Sequence, residues 1–359
     1  MKSVAILGGG LAPYFNEAMA NQINLLSKHL NLRVITCNDI GSRPFMKYDQ
    51  YTIFNSKYLI QRTPFLSLIN GGVLFLATKY YEQIFDWIIL PGGIESEFLE
   101  YLDSCKCIPM VPSICQLDDN ALVKIRNKIP QFPLIIAQSR KTRNQLVEFG
   151  ADPKRIFLMY PLVDLTKFRY SDPPNLDEFR IVFASSPNME VPGEDNFADK
   201  GVPLLLEAFN DFLKYEPKSK LYLVWRGYYT SELDKKLDEL ELGNSVEILH
   251  GFVDMPAIYS RSHVIVIPYL NLKRSPDIPL SALESLACGR PVVATDVGEI
   301  ADILTSQGVG VASKTRVEDL SQALKECRQN YNKLQGNCKN LNIPTELSLQ
   351  RFMQQNINE

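Results

Sequence analysis

The chain has 359 residues, more than one hydrophobic core usually organises, so two domains are expected. Hydrophobic residues make up 45% and charged residues 22%, the balance of an ordinary soluble globular enzyme. A formal net charge of -3 excludes a dedicated nucleic-acid binder, which would carry a basic excess.

In chain order the first half offers the strands "VAILG", "LRVIT", "WIIL", "IPMV", "LIIAQS" and "IFLMY". The second half offers "RIVFASS", "LYLVWRG", "VEILHG", "VIVIPY", "PVVATD" and a weaker "GVGVA". Several are apolar without alternation, as in strands covered on both faces. Between them lie amphipathic segments such as Val202–Tyr215, with Leu205, Phe209, Phe212 and Leu213 on one face. Alternating strand and helix predicts an α/β protein of parallel, doubly wound sheets. A polar stretch with Pro173-Pro174 marks a linker near Pro161–Leu176. The expected domains are therefore 1–165 and 166–340, with 341–359 as a C-terminal segment.

The charge is unevenly divided: residues 1–165 carry 17 Lys/Arg against 14 Asp/Glu, the remainder 21 against 27. A mildly basic first half leaves room for peripheral association with an anionic membrane surface, but a solvated surface bias is the better account. The start "MKSVAILGGG" runs straight into a strand, so a cytoplasmic protein is expected. Seven cysteines without framework spacing fit buried, reduced thiols. "LGGG" invites a dinucleotide-binding reading, and with it a nicotinamide-dependent oxidoreductase, but no G-x-G-x-x-G follows. Asp118-Asp119 could chelate a metal-bound diphosphate, or simply begin a helix. His263, before a buried strand, reads as structural.

In doubly wound sheets ligands bind beyond the carboxyl ends of the strands. That rule selects Gly8–Phe15, Ser185–Gly201, Arg226-Gly227, Gly251–Asp254 and Leu270–Pro279. The last loop leads into a helix whose N-terminus, with free N–H groups and partial positive charge, suits a phosphate. Glu284 lies on that helix among Leu283, Leu286 and Ala287, either facing a cleft or on a solvated face.

The segment "SALESLACGRPVVATDVGEI" resembles the donor-site helix and strand of retaining GT-B glycosyltransferases, the group one class (glycosyltransferase family four). "IIAQSRKTRNQLVEFGADPKRIFLMYPLVDLTKF", "DKGVPLLLEAFNDFLKYEPKSKLYLVWRG" and "VEILHGFVDMPAIYSRSHVIVIPY" resemble further segments of that family in the same order. The match runs from Ile135 to Ile300. The resemblance implies two Rossmann-like domains facing across a cleft, with the "LSLQRFMQQ" helix crossing back onto the first. It also implies transfer of a sugar from a nucleotide diphosphate sugar to a hydroxyl acceptor, without cofactor or metal.

Residue by residue, the resemblance assigns Lys200 to the diphosphate and Glu284 to the ribose hydroxyls. Phe252 and Val253 fall where the base is received, and the N–H groups of Leu280 and Ser281 face the phosphate. The family's second acid falls on Pro276, so Asp277 is expected to hold the sugar. Its arginine before the lysine is missing, leaving Arg274 or Lys273 to supply that charge. Gly9 and Gly10 are assigned to the donor, Asn16 and Glu17 to the acceptor. These departures keep a degenerate, binding-only homologue as the alternative.

Overall fold

The computed structural model describes residues 4–8, 22, 25, 26, 32–36, 49–52, 79–91, 106–114, 119–187, 195–251, 253–273, 275–343, 348, 351, 352, 354 and 355. They form two compact units, Met1–Leu162 with Pro344–Glu359, and Val163–Ile343.

The first unit is built on a parallel seven-stranded sheet in the order β3-β2-β1-β4-β5-β6-β7. Its strands are β1 (Val4–Gly8), β2 (Leu32–Thr36), β3 (Asp49–Thr52), β4 (Trp87–Pro91), β5 (Cys107–Val111), β6 (Ile135–Ala137) and β7 (Ile156–Leu158). Helices α1 (Asp119–Lys128) and α2 (Arg140–Glu148) contribute Ile125 and Leu146 to a core shared with Ile88, Val111 and Ile135. Ser139 starts α2 by accepting from the Thr142 N–H at 2.8 Å, a side-chain cap on an otherwise unsatisfied donor. Phe352, fully buried, meets the Phe157 ring edge-on with centroids 4.8 Å apart, which ties the C-terminal segment to β7.

The second unit is a parallel six-stranded sheet in the order β10-β9-β8-β11-β12-β13. Its strands are β8 (Arg180–Phe183), β9 (Lys220–Trp225), β10 (Val246–His250), β11 (Val264–Ile267), β12 (Val292–Thr295) and β13 (Gly310–Ser313). Strand order reverses between β8 and β11, which pair directly. The connections leaving β8 and β11 therefore diverge, and a crevice opens beyond their carboxyl ends.

After β8 come α3 (Asn196–Asp199) and α4 (Val202–Tyr215). Leu205, Phe209 and Phe212 of α4 are fully buried against Phe179, Ile181 and Phe183, as the helical spacing predicts. Six further helices follow: α5 (Thr230–Glu239), α6 (Met255–Ser260), α7 (Leu280–Ala287), α8 (Ile300–Gln307), α9 (Val317–Gln329) and α10 (Tyr331–Cys338).

The stretch read as a linker is strapped onto the second unit. Arg290, 0% exposed, donates to Ser171 O at 2.9 Å, Ser171 Oγ at 2.8 Å and Asp172 O at 3.1 Å. It also reaches Tyr259 O at 2.7 Å, Ser260 O at 3.1 Å and Cys288 O at 3.0 Å. One guanidinium thus closes the backbone of three segments, and a fan of carbonyls offsets the cost of burying its charge.

His263 pins the same strap from the other side. Its Nδ1 accepts from the Arg180 N–H at 2.9 Å, so Nε2 carries the proton and donates to Asn175 O at 3.0 Å. The ring stacks on Phe179 at 5.2 Å, and burial pushes its pKa down to about 4. Because the folded value is depressed, stability is complete above the unfolded value near 6.5 and falls as pH drops through 4. Urea unfolding should lose about 2 kcal/mol across that window from this group. His263→Gln should flatten that part of the profile; an unchanged slope would contradict the assignment.

Among the described residues no helix is long and apolar enough to cross a membrane. The four described cysteines, Cys107, Cys288, Cys327 and Cys338, are all buried.

Candidate functional site

The turn carrying Lys200 is fixed from below. Asp195 caps α3 by accepting from the Ala198 N–H at 2.9 Å. Asp199 O accepts from the Leu270 N–H at 3.0 Å, which ties the turn to the loop after β11. Gly201 has φ +72, and a Cβ there would lie 1.7 Å from Pro268 O, so only glycine permits this approach. The turn therefore sets Lys200 directly over the end of β11.

Lys200 is buried, only 7% exposed. Its Nζ donates to Ser275 Oγ at 3.0 Å and lies 4.8 Å from the Tyr269 ring centroid. The Tyr269 hydroxyl is hydrogen-bonded by Ser185 and Ser275, and burial pushes its pKa up to about 12. Ser185 Oγ in turn sits 3.3 Å from Ser281 Oγ at the start of α7. An ammonium, four hydroxyls and a helix N-terminus thus converge beyond β8 and β11, where the strand order reverses.

The entry to α7 is rigid. Pro279 is its N-cap, with φ -63 and ψ 132, and the preceding Asp277 and Ile278 are each 1% exposed. Asp277 O accepts from the Ile300 N–H at 3.2 Å, at the start of α8. Gly298 lies so close that a Cβ would stand 2.6 Å from that carbonyl. Asp277 is consequently a buried residue of the loop. On the first turn of α7, Leu280 is buried and Ser281 half-buried. Tyr259, 0% exposed, donates to Ser281 O at 3.3 Å and braces the turn.

Glu284 follows on α7 and is 7% exposed, which rejects a solvated face. Burial pushes its pKa up to about 8, only partly opposed by Lys167. The ligand-free protein therefore holds this carboxyl protonated at neutral pH. A folded value above the unfolded 4.5 means that stability is complete below 4.5 and is lost as pH rises through 8. Glu284→Gln, unable to ionise, should be about 2–3 kcal/mol more stable than wild type at pH 9 and gain little near pH 4. Thermal melts over that range check this; a wild type that keeps its margin at pH 9 would refute the buried, unsolvated carboxyl.

Val253 lies half-buried in the loop between β10 and α6, in none of the contacts just described. Phe252, Arg274, Gly9, Gly10, Asn16 and Glu17 lie outside the described residues. Among the described residues no cluster of three or more His, Cys, Asp or Glu could hold a metal ion.

Residues 192–330 match the family described as "Glycosyl transferases group 1". The D-inositol 3-phosphate glycosyltransferase of Rhodococcus opacus is 30% identical over 207 residues, 53% of this chain and 44% of that protein. The chain thus spans less than half the length of that curated relative. Anabaena HepE, solved in complex with UDP and glucose, superposes with a TM-score of 0.73 at 16% identity, over 98% of both chains. Sucrose-phosphate synthase of Thermosynechococcus elongatus superposes with a TM-score of 0.78 at 15% identity, over 99% of both. The chain has the GT-B fold, and its residues 192–330 carry the match to the group 1 glycosyl transferases.

Sequence reasoning named Lys200, Ser281 and Glu284; it did not name Tyr269, Ser185 or Ser275, although Ser185 and Ser275 lie in two of the loops that the strand-end rule selects. Tyr269 and Ser185 each stand two residues beyond a strand at the switch point. That position was a usable signal. Ser275 lay in a selected loop, but only the fold brings it to Lys200.

Proposed function

We propose that the protein transfers a sugar from a nucleoside diphosphate sugar to a hydroxyl acceptor, with retention of configuration and without a metal. The observation that carries this reading is Lys200, held by Ser275 and Tyr269 beside the first turn of α7. A departing diphosphate gains charge in the transition state, so a fixed ammonium and helix N–H groups stabilise that state more than the ground state.

Lys200 and the amides of Leu280 and Ser281 would take the diphosphate. Glu284 would take the ribose hydroxyls, giving up its proton as they bind. Phe252 and Val253 would flank the base, with Arg274, Gly9 and Gly10 adding donor contacts. Asp277 would accept from hydroxyls of the transferred sugar, and Asn16 and Glu17 would meet the acceptor. No protein base is required if the leaving phosphate takes the acceptor proton on the same face. The complex of HepE with UDP and glucose makes UDP-glucose the first donor to try.

The test is incubation with UDP-, GDP- and ADP-sugars and a panel of hydroxyl acceptors in EDTA, with the product's anomeric proton read by NMR. Turnover in EDTA with the donor's configuration is expected. An inverted product, or activity that needs added Mg²⁺ or Mn²⁺, would contradict it. Donor binding without turnover would favour the degenerate homologue. Because Asp277 is buried, Asp277→Asn, which keeps its shape, is the informative variant. It should impair transfer far more than binding of sugar-free nucleotide.

A further inference from the structure

An ammonium that must meet a diphosphate needs two things that conflict. It has to be held in one place, and it has to keep its charge. Two of Lys200's neighbours hold it. Ser275 Oγ accepts from Nζ at 3.0 Å, and the Tyr269 ring presents its face 4.8 Å away. Both are neutral, so they orient the charge without neutralising it.

The tyrosine is itself anchored at three points. Its carbonyl accepts from Thr295 Oγ1 at 2.6 Å, on β12. Its hydroxyl is bonded by Ser185 and by Ser275. Ser275, having accepted from the lysine, still has a proton to give to the tyrosine oxygen. Lysine, serine and tyrosine thus form a closed triangle in which the ring can shift only if the hydroxyl breaks away. Tyr269 is 3% exposed, so water offers little competition.

We propose that Tyr269 is a positioning residue for Lys200, its ring face and its Ser275-linked hydroxyl holding the ammonium where a diphosphate is bound. This rests on the donor reading above. Its consequence is specific: removing the ring should matter only while the lysine is present.

The experiment is a double-mutant cycle on nucleoside diphosphate binding, measured by calorimetry with UDP, GDP and ADP as probes. Lys200→Met should weaken the best probe about 30-fold and Tyr269→Leu about 10-fold. The double variant should bind within about twofold of Lys200→Met alone, because the tyrosine acts through the lysine. Tyr269→Phe and Ser275→Ala, which keep the ring, should each lose about threefold. A Tyr269→Leu protein that binds as tightly as wild type would overturn the proposal. So would a double variant that loses the product of the two single effects, about 300-fold.

A second measurement needs no ligand. In protein labelled with ¹³C-lysine, the Lys200 ε-methylene signal, assigned by its absence in Lys200→Met, should sit upfield under the tyrosine ring current. Tyr269→Leu should abolish that shift and Tyr269→Phe keep it. If wild type binds none of the three nucleotides, the donor reading falls, and this arm alone decides whether Tyr269 places the lysine. An unshifted wild-type signal would overturn the proposal.

Discussion

Lys200→Met should lower kcat/KM for the sugar nucleotide by about 2–4 kcal/mol in activation free energy, some 30- to 1000-fold. The range is that for losing one fixed donor to charge that develops in the transition state. Methionine is chosen because Lys200 is 7% exposed and its Nζ lies over the Tyr269 ring. Alanine would add a cavity to the lost charge and confuse the two. Ser275 also loses its donor in this variant but remains bonded to Tyr269, so the fold should survive. The check is steady-state kinetics beside a thermal melt. A folded variant with near-normal turnover would remove the lysine from the chemistry.

Arg290→Ala should cost about 3–5 kcal/mol of stability, the largest single loss expected in the second unit. The side chain is fully buried and donates to Ser171, Asp172, Tyr259, Ser260 and Cys288. Removing it orphans several carbonyls in the interior and opens a void at once. Arg290→Lys should recover little, because one ammonium has three donors and no planar fork to span three segments. The damage should reach function, since Tyr259 and Cys288 flank α7, which bears Ser281 and Glu284. Equilibrium unfolding in urea measures the loss. A change under 1 kcal/mol would mean that the carbonyl fan is not holding the strap.

How much of this was readable in advance follows from the kind of signal each feature leaves. All twelve apolar runs are strands, since a buried parallel strand must be apolar throughout and has few other ways to fold. The strand missed was β3, "DQYT", an edge strand whose polar residues carry no hydrophobic pattern. Helix α4 was legible because Leu205, Phe209 and Phe212 repeat at helical spacing. Glu284 stood out as a lone acid in an apolar helix, and the structure gives the reason for its isolation: burial. Arg290 left no comparable trace. An arginine in "CGRPVV" looks like any surface arginine until tertiary structure brings Ser171 and Asp172 to it. The strap was read as linker for the same reason. Its polar residues are satisfied by partners more than a hundred positions away.

The central claim is that the second unit binds a nucleoside diphosphate sugar through Lys200 and the start of α7. The most direct test is the stability of wild type and Lys200→Met, melted side by side against UDP-, GDP- and ADP-sugars. A donor at about 100 times its Kd should add roughly 2.7 kcal/mol to the wild type, a shift of several degrees. Lys200→Met at the same concentration should gain at most about half of that. No stabilisation of wild type by any donor, or equal stabilisation of both proteins, would contradict the account.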